Sequence, residues 1–215
     1  MNDFGFKKIK TVLILGPHPD DGEFSSGGTI CKMLESGIDI HYAVFSMCEK
    51  SIPKGFAPGS IKNELFEATN FLGIKKENLH LFDYEVRVFP QYRQEILEDL
   101  IILRAKLKPD LVMLPSSTDI HQDHKTIYEE GVRAFKNSCL LGYEMPWNNF
   151  TFNSNLFVTL QERHLSKKIE TLKFYKTQEG RSYSSEEYTR SLMKFKAIQI
   201  QEELAETFEI IRWKI

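Results

Sequence analysis

Apolar positions along the chain follow two rhythms, short runs closed by Gly or Pro and longer stretches with apolar residues three and four apart. Thr11 to Leu15 is a short apolar run ended by Gly16-Pro17, which suits a strand buried on both faces. Ser25 to Ser36 reads as a helix, with Ile30, Met33 and Leu34 at helical spacing and Gly37 as its stop. Ile38 to Phe45 carries Ile40, Tyr42 and Val44 at period two and reads as the second strand. The rhythm then repeats: helix Ser60 to Leu72, strand Asn78 to Phe82, helix Gln91 to Leu107, strand Asp110 to Leu114, helix Lys125 to Phe135. Such alternation predicts an α/β fold of three layers, with a mostly parallel sheet covered on both faces by helices.

Two stretches interrupt the rhythm. Ser46 to Gly59 holds Pro53, Gly55, Pro58 and Gly59 and reads as a long loop, of the kind that often serves a site. Asn137 to Asn155 is irregular, with Gly142, Pro146 and Trp147, and is expected to form a loop or cap beside the site. Leu156 to Leu160 and Phe208 to Lys214 read as strands, and Gln161 to Tyr175 and Glu186 to Glu203 as helices, so residues 1–215 are expected to make one domain.

Composition narrows the partners. A formal charge of -2 with 27% charged residues gives no electrostatic case for nucleic acid, and a small molecule is the default ligand. No run approaches the roughly 18 consecutive apolar residues of a membrane span. The polar start from Met1 to Lys10 lacks the apolar stretch of an export signal, so a cytoplasmic protein is expected, free to assemble as a homo-oligomer. The 3 cysteines, Cys31, Cys48 and Cys139, are widely spaced, which argues against a disulfide framework and against a thiolate zinc site. Any metal would have to be held by His and carboxylate.

Those residues cluster twice. Leu13 to Leu15 runs into Gly16-Pro17-His18-Pro19-Asp20-Asp21, and the fourth strand runs into Asp119-Ile120-His121-Gln122-Asp123-His124. Both follow strands of the expected parallel sheet, so both fall at its carboxyl edge, where such sheets bind ligands. The glycines after the first strand do not form G-x-G-x-x-G, and the two prolines remove backbone donors a pyrophosphate would need, which opposes a dinucleotide. Two imidazoles and several carboxylates are the donors of a catalytic divalent metal that keeps a position open for water. Adjacent Asp20 and Asp21 cannot easily point the same way, so one is expected to face the metal and the other the water or substrate. Taken alone, the Asp pair could be a helix N-cap and the second cluster a charged loop.

The segments G-P-H-P-D-D-G-E-F-S-S-G-G-T-I and D-I-H-Q-D-H resemble the LmbE/PIG-L family of zinc-dependent de-N-acetylases, marked by H-P-D-D after the first strand and H-x-D-H after a later one. Ala205-Glu206-Thr207-Phe208 followed by Ile210-Ile211-Arg212 is similar to its C-terminal strand. The resemblance implies a Rossmann-like fold and removal of an N-acetyl group from an amino sugar or glycoconjugate, giving acetate and a free amine. It implies His18, Asp21 and His124 as zinc ligands, Asp20 as the general base for the hydrolytic water, and His121 beside the developing oxyanion. Asp123 would orient a histidine, and could keep His121 cationic. Zinc follows from the family; the same donors also suit Fe2+ or other divalent ions. Where many relatives carry an R-G pair and a further Gly before that strand, this chain has Lys196-Ala197 and Gln201, and Thr207 replaces an Ala. These departures bear on substrate choice.

Substrate contacts are less legible. Asp83, Arg87 and Arg93 follow the third strand, and Arg87 could meet a phosphate or carboxylate. Asp119 could touch substrate, or stand behind a ligand histidine, as could Ser117. Trp147 and Tyr143 could stack on a sugar, whereas Arg181 and Tyr183 read as solvated or structural. The competing readings are a metal-dependent hydrolase of another amide or ester, and a non-catalytic sugar- or metal-binding domain.

Overall fold

The computed structural model describes residues 9–214; the lysine-bearing start of the chain, residues 1–8, lies outside the described residues. In chain order the elements are β1 (Thr11–Gly16), α1 (Asp21–Glu35), β2 (Asp39–Val44), α2 (Ser60–Leu72), β3 (Leu79–Leu81), α3 (Arg93–Leu107) and β4 (Leu111–Pro115). Then follow α4 (Gln122–Ala134), β5 (Cys139–Tyr143), β6 (Leu156–Thr159), α5 (Glu162–Leu172), α6 (Glu186–Ala197) and β7 (Ala205–Arg212). One sheet has the order β3-β2-β1-β4-β5-β7-β6. The first five strands are parallel, and β7 pairs antiparallel with both β5 and β6.

Strand pleating sorts the core into two layers. Val12 and Ile14 of β1 join Ile40, Tyr42, Leu111 and Met113 beneath α1, α2 and α5. Leu13 and Leu15 face the other way, with Val112, Leu114 and the apolar stripe of α3, Ile96, Leu97, Leu100 and Leu103. Burial on both faces explains why these strands read as continuous apolar runs. No helix among the described residues is long and apolar enough to cross a membrane.

Several boundaries differ from the sequence reading: α6 ends at Ala197 rather than Glu203, β7 begins at Ala205 rather than Phe208, and three further differences bear on the site. The stretch expected to be an irregular cap contains β5, a buried strand between β4 and β7. Its Gly142 hid it, and the reason for the glycine is contact: a Cβ there would lie 3.0 Å from the Ser116 backbone. α1 begins at Asp21 rather than Ser25. Gly22, Gly27 and Gly28 weaken its helical signal, yet each packs tightly; a Cβ on Gly22 would come within 2.9 Å of the Tyr42 ring. α4 begins at Gln122 rather than Lys125, which brings Asp123 and His124 into its first turn.

Candidate metal centre

β1 and β4 are neighbours from which the chain winds outward in opposite directions, so their carboxyl ends form the crevice of the sheet. His18 leaves β1, Asp21 opens α1, and His124 lies in the first turn of α4. His18 Nδ1 lies 3.5 Å from Asp21 Oδ2, His124 Nε2 lies 3.4 Å from the same oxygen, and the two nitrogens are 3.2 Å apart. Ligands at zinc-like bond lengths on a tetrahedral centre are about 3.3–3.6 Å apart. The three atoms therefore have the spacing of one face of such a centre. His121 makes a looser set with His18 and His124, with donor atoms within 4.8 Å of one another.

The outer nitrogens settle which way the rings are used. His18 Nε2 is 3.0 Å from Asp123 Oδ2, and His124 Nδ1 is 2.8 Å from Asp119 Oδ2. Each ring donates its proton to a buried carboxylate, so the inner nitrogens turn lone pairs toward each other and toward Asp21 Oδ2. Three converging acceptors need a cation. The titration of His124 expresses the same need: burial works against its charge, but Asp21, Asp119 and Asp123 outweigh burial and raise it to about 9. The donor set fits a divalent metal on this ground.

Asp20 stands apart from the ligating face. It occupies the N-cap position of α1 but makes no side-chain capping bond, so the simple cap reading of the Asp pair does not hold. Its carboxyl lines a cavity of about 280 Å³ together with His18, Asp21, His121 and His124. Burial and the neighbouring Asp21 raise it to about 6, within reach of a proton at neutral pH. A cavity of about 700 Å³ lies elsewhere, at the opposite edge of the sheet around Pro109, Asp110 and Cys139, away from these groups.

His121 and Asp123 depart from the expected partnership. Asp123 is fully buried, and its carboxylate accepts from His18 Nε2 and from the backbone N–H groups of Arg87 at 2.6 Å and Phe89 at 3.3 Å. It orients His18, not His121. Although burial opposes ionisation, these bonds hold its carboxyl below the usual range. His121 Nδ1 accepts from the Asp123 backbone N–H, leaving Nε2–H as a donor. Burial, then His124 and His18, lower it to about 4, so a neutral imidazole replaces the expected cation.

Of the substrate candidates, Arg87 lines the cavity, whereas Asp83 is exposed and does not. Asp119 is buried behind His124, away from the cavity wall, so it is an orienting group. Arg93 is committed to Glu129 and Glu130. Tyr143 is buried in β5, bonded to the Leu15 carbonyl, and Ser117 bonds Glu209 of β7. Arg181 and Tyr183, expected from the sequence to be solvated or structural, line the cavity with Trp147 and Asn148, as does Gln178, which carries no signal in the sequence. They come from the segment between α5 and α6, and no periodicity or motif ties that segment to β1.

Fold and centre together define an α/β protein with a two-histidine, one-carboxylate site at its switch point. Residues 13–135 match the family model for PIG-L, the GlcNAc-PI de-N-acetylases, and the chain belongs to that family. A diacetylchitobiose deacetylase of Thermococcus kodakarensis is 29% identical over 60% of this chain and 50% of its own length, so the chain spans about half of that relative. An uncharacterised deacetylase, YaiS, of Escherichia coli K12 is 28% identical over 79% of this chain and 92% of its own. Among solved structures, the N,N'-diacetylchitobiose deacetylase of Pyrococcus horikoshii superposes with a TM-score of 0.77 at 22% identity, covering 96% of this chain and 85% of that one. A 4-carboxy-2-hydroxymuconate hydratase of Pseudomonas putida KT2440 superposes equally well, TM-score 0.77 at 16% identity over 96% of this chain and 98% of that one. The fold alone therefore leaves the reaction open.

Proposed function

We propose that the protein removes the acetyl group from an N-acetylated amino sugar or glycoconjugate, with His18, Asp21 and His124 holding a divalent metal, zinc as membership of the family suggests. The observation that carries this reading is the convergence of three acceptor atoms, 3.2 to 3.5 Å apart, beside a carboxyl that no helix cap uses. When bound, the metal supplies Lewis acidity toward the amide carbonyl and a water made easier to deprotonate.

The chain's own residues divide the rest. Asp20 takes the proton of the attacking water as its oxygen adds to the carbonyl carbon. His121 donates from Nε2–H to the carbonyl oxygen as it becomes anionic, a role that a neutral imidazole fills. Asp20 then returns the proton to the leaving nitrogen, the C–N bond breaks, and acetate and a free amine result. Asp119 and Asp123 act through the histidines they orient.

Asp20→Asn separates binding from turnover. The variant should keep stoichiometric zinc and lose acetate release by about 100-fold or more, the scale of general-base catalysis. Turnover that survives would remove Asp20 from this role. The same donors suit Fe2+, so metal analysis of protein purified without added metal belongs to the same experiment.

A further inference from the structure

Resting on the deacetylase reading above, we propose that the sugar substrate carries an anionic oxygen group, a phosphate or a carboxylate, held by Arg181 and Arg87 with the hydroxyl of Ser51. Arg181 comes from the segment between α5 and α6, and Arg87 from the loop after β3; both line the cavity of Asp20. Among the described residues neither pairs with a carboxylate. Arg93, Arg133, Arg163 and Arg190 each do, and Arg104 and Arg212 bind backbone carbonyls. The two guanidinium groups with neither a carboxylate nor a backbone carbonyl as partner are thus the two at the candidate site, Arg181 keeping a hydrogen bond to Tyr183.

A third donor joins them. Ser51 lines the same cavity, and its Oγ is buried with no hydrogen-bond partner. A buried hydroxyl without a partner is uncommon and costs stability unless a ligand completes it. It sits beside Ile52, which packs on the small apolar cluster of Cys48, Ile61 and Val86, the last adjoining Arg87.

The Arg181 side chain and the Arg87 backbone are held before any ligand arrives. Tyr183 stacks on Trp147, ring centroids 3.8 Å apart and planes within 16°, and the Arg181 guanidinium lies over the Tyr183 ring at 5.9 Å. Phe24 meets both rings edge-on and braces the stack. Arg87 adopts φ 74, a left-handed conformation uncommon for a residue with a side chain. Its N–H bonds Asp123 Oδ2 and its carbonyl accepts from Gln122 Nε2 at 3.3 Å, so the backbone is pinned on both sides. Such strain tied to the ligand-orienting Asp123 links the anion site to the metal centre.

Hydrolysis of an acetamide uses none of these three donors. Guanidinium groups recognise phosphate and carboxylate through paired N–H donors, a geometry that a neutral sugar hydroxyl does not match. An oxyanion on the substituent beyond the N-acetyl sugar supplies the missing partner for all three.

Three ligands that differ only at the anomeric position test this: methyl N-acetylglucosaminide, N-acetylglucosamine 1-phosphate and carboxymethyl N-acetylglucosaminide. Acetate release gives kcat/KM for zinc-loaded wild type, Arg181→Gln, Arg181→Lys and Arg87→Gln, and calorimetry gives Kd in an Asp20→Asn background. Wild type should favour an anionic ligand over the methyl glycoside by about 10- to 100-fold in both measurements. Preference for the phosphate alone, the carboxylate alone or both identifies the source of the oxyanion. Each Gln variant should cut that preference about 10-fold, chiefly through KM, and Arg181→Lys should restore part of it. Anion and methyl ligands within twofold of each other, or a preference that both Gln variants leave intact, would overturn the proposal. Acetate released without anion preference leaves the deacetylase reading standing while this proposal fails. If no acetate is released from any ligand the deacetylase reading fails, and calorimetry then decides whether the arginine pair binds the anion.

Discussion

Replacing Asp123 with Asn distinguishes a carboxylate that orients His18 from one that acts on His121. The native carboxylate is fully buried and receives three donors: His18 Nε2, the Arg87 N–H and, on its other oxygen, the Phe89 N–H. An amide keeps one oxygen and turns an NH2 toward at least one of these donors. One buried donor is then left without an acceptor, a cost of about 1–3 kcal/mol. His18 also loses the charge that favours a proton on Nε2 and a lone pair on the inner Nδ1. Loss of such an orienting partner weakens a metal site about 10- to 100-fold, or roughly 1.4–2.7 kcal/mol. Zinc competition against a chromogenic chelator at neutral pH measures this directly, with thermal melting as a control for folding. His121→Asn is the comparator, expected to lose turnover while holding the metal close to wild type. Asp123→Asn with zinc affinity within twofold of wild type would refute the reasoning, as would equal metal loss in both variants.

Further outcomes follow from the packing. Lys168 Nζ and Glu206 Oε1 form a buried pair 2.7 Å long, each side chain 4% exposed, and Glu206 also accepts from the Gly28 and Thr29 N–H groups of α1. Lys168→Met strands that carboxylate and should cost about 3–5 kcal/mol in denaturant unfolding, whereas a change under 1 kcal/mol would show that the pair contributes little. Gly22→Ala, which in a free helix would stabilise by about 1 kcal/mol, should here destabilise by about 1–3 kcal/mol because Tyr42 cannot retreat; a rise in melting temperature would contradict the clash. Burial, then the charges of His41 and Lys106, lower His80 to about 4. The unfolded state therefore binds the proton first, and stability should fall as pH drops from about 6.5 toward 4. Melting curves across that window should be flatter in His80→Asn, and an unchanged slope would remove His80 from the effect.

The apolar runs were enough to read the parallel half of the sheet, because strands covered on both faces leave an unbroken signal, as in Val12 to Leu15 and Leu111 to Leu114. β5 escaped because Gly142 and the turn residues after it mimic a loop, and what requires the glycine is the distant Ser116 backbone. The early starts of α1 and α4 escaped because glycine and charge mask helix in the turns that carry Asp21 and His124. Two His/Asp motifs at one sheet edge made the candidate metal centre legible. The pairing of Asp123 with His18 did not follow from spacing, since it depends on which way the α4 turn faces β1. Arg181 and Tyr183 were illegible for a plainer reason: the chain returns to the cavity there without any motif.

The most direct test of a metal-dependent deacetylase is acetate release by protein stripped with a chelator and then reloaded with one equivalent of zinc, assayed on a panel of N-acetylated sugars and glycoconjugates. Stripped protein should release no acetate, and reloaded protein should give equal amounts of acetate and free amine from at least one compound. Release that persists in the stripped protein, or none from any compound after reloading, would contradict metal-dependent deacetylation.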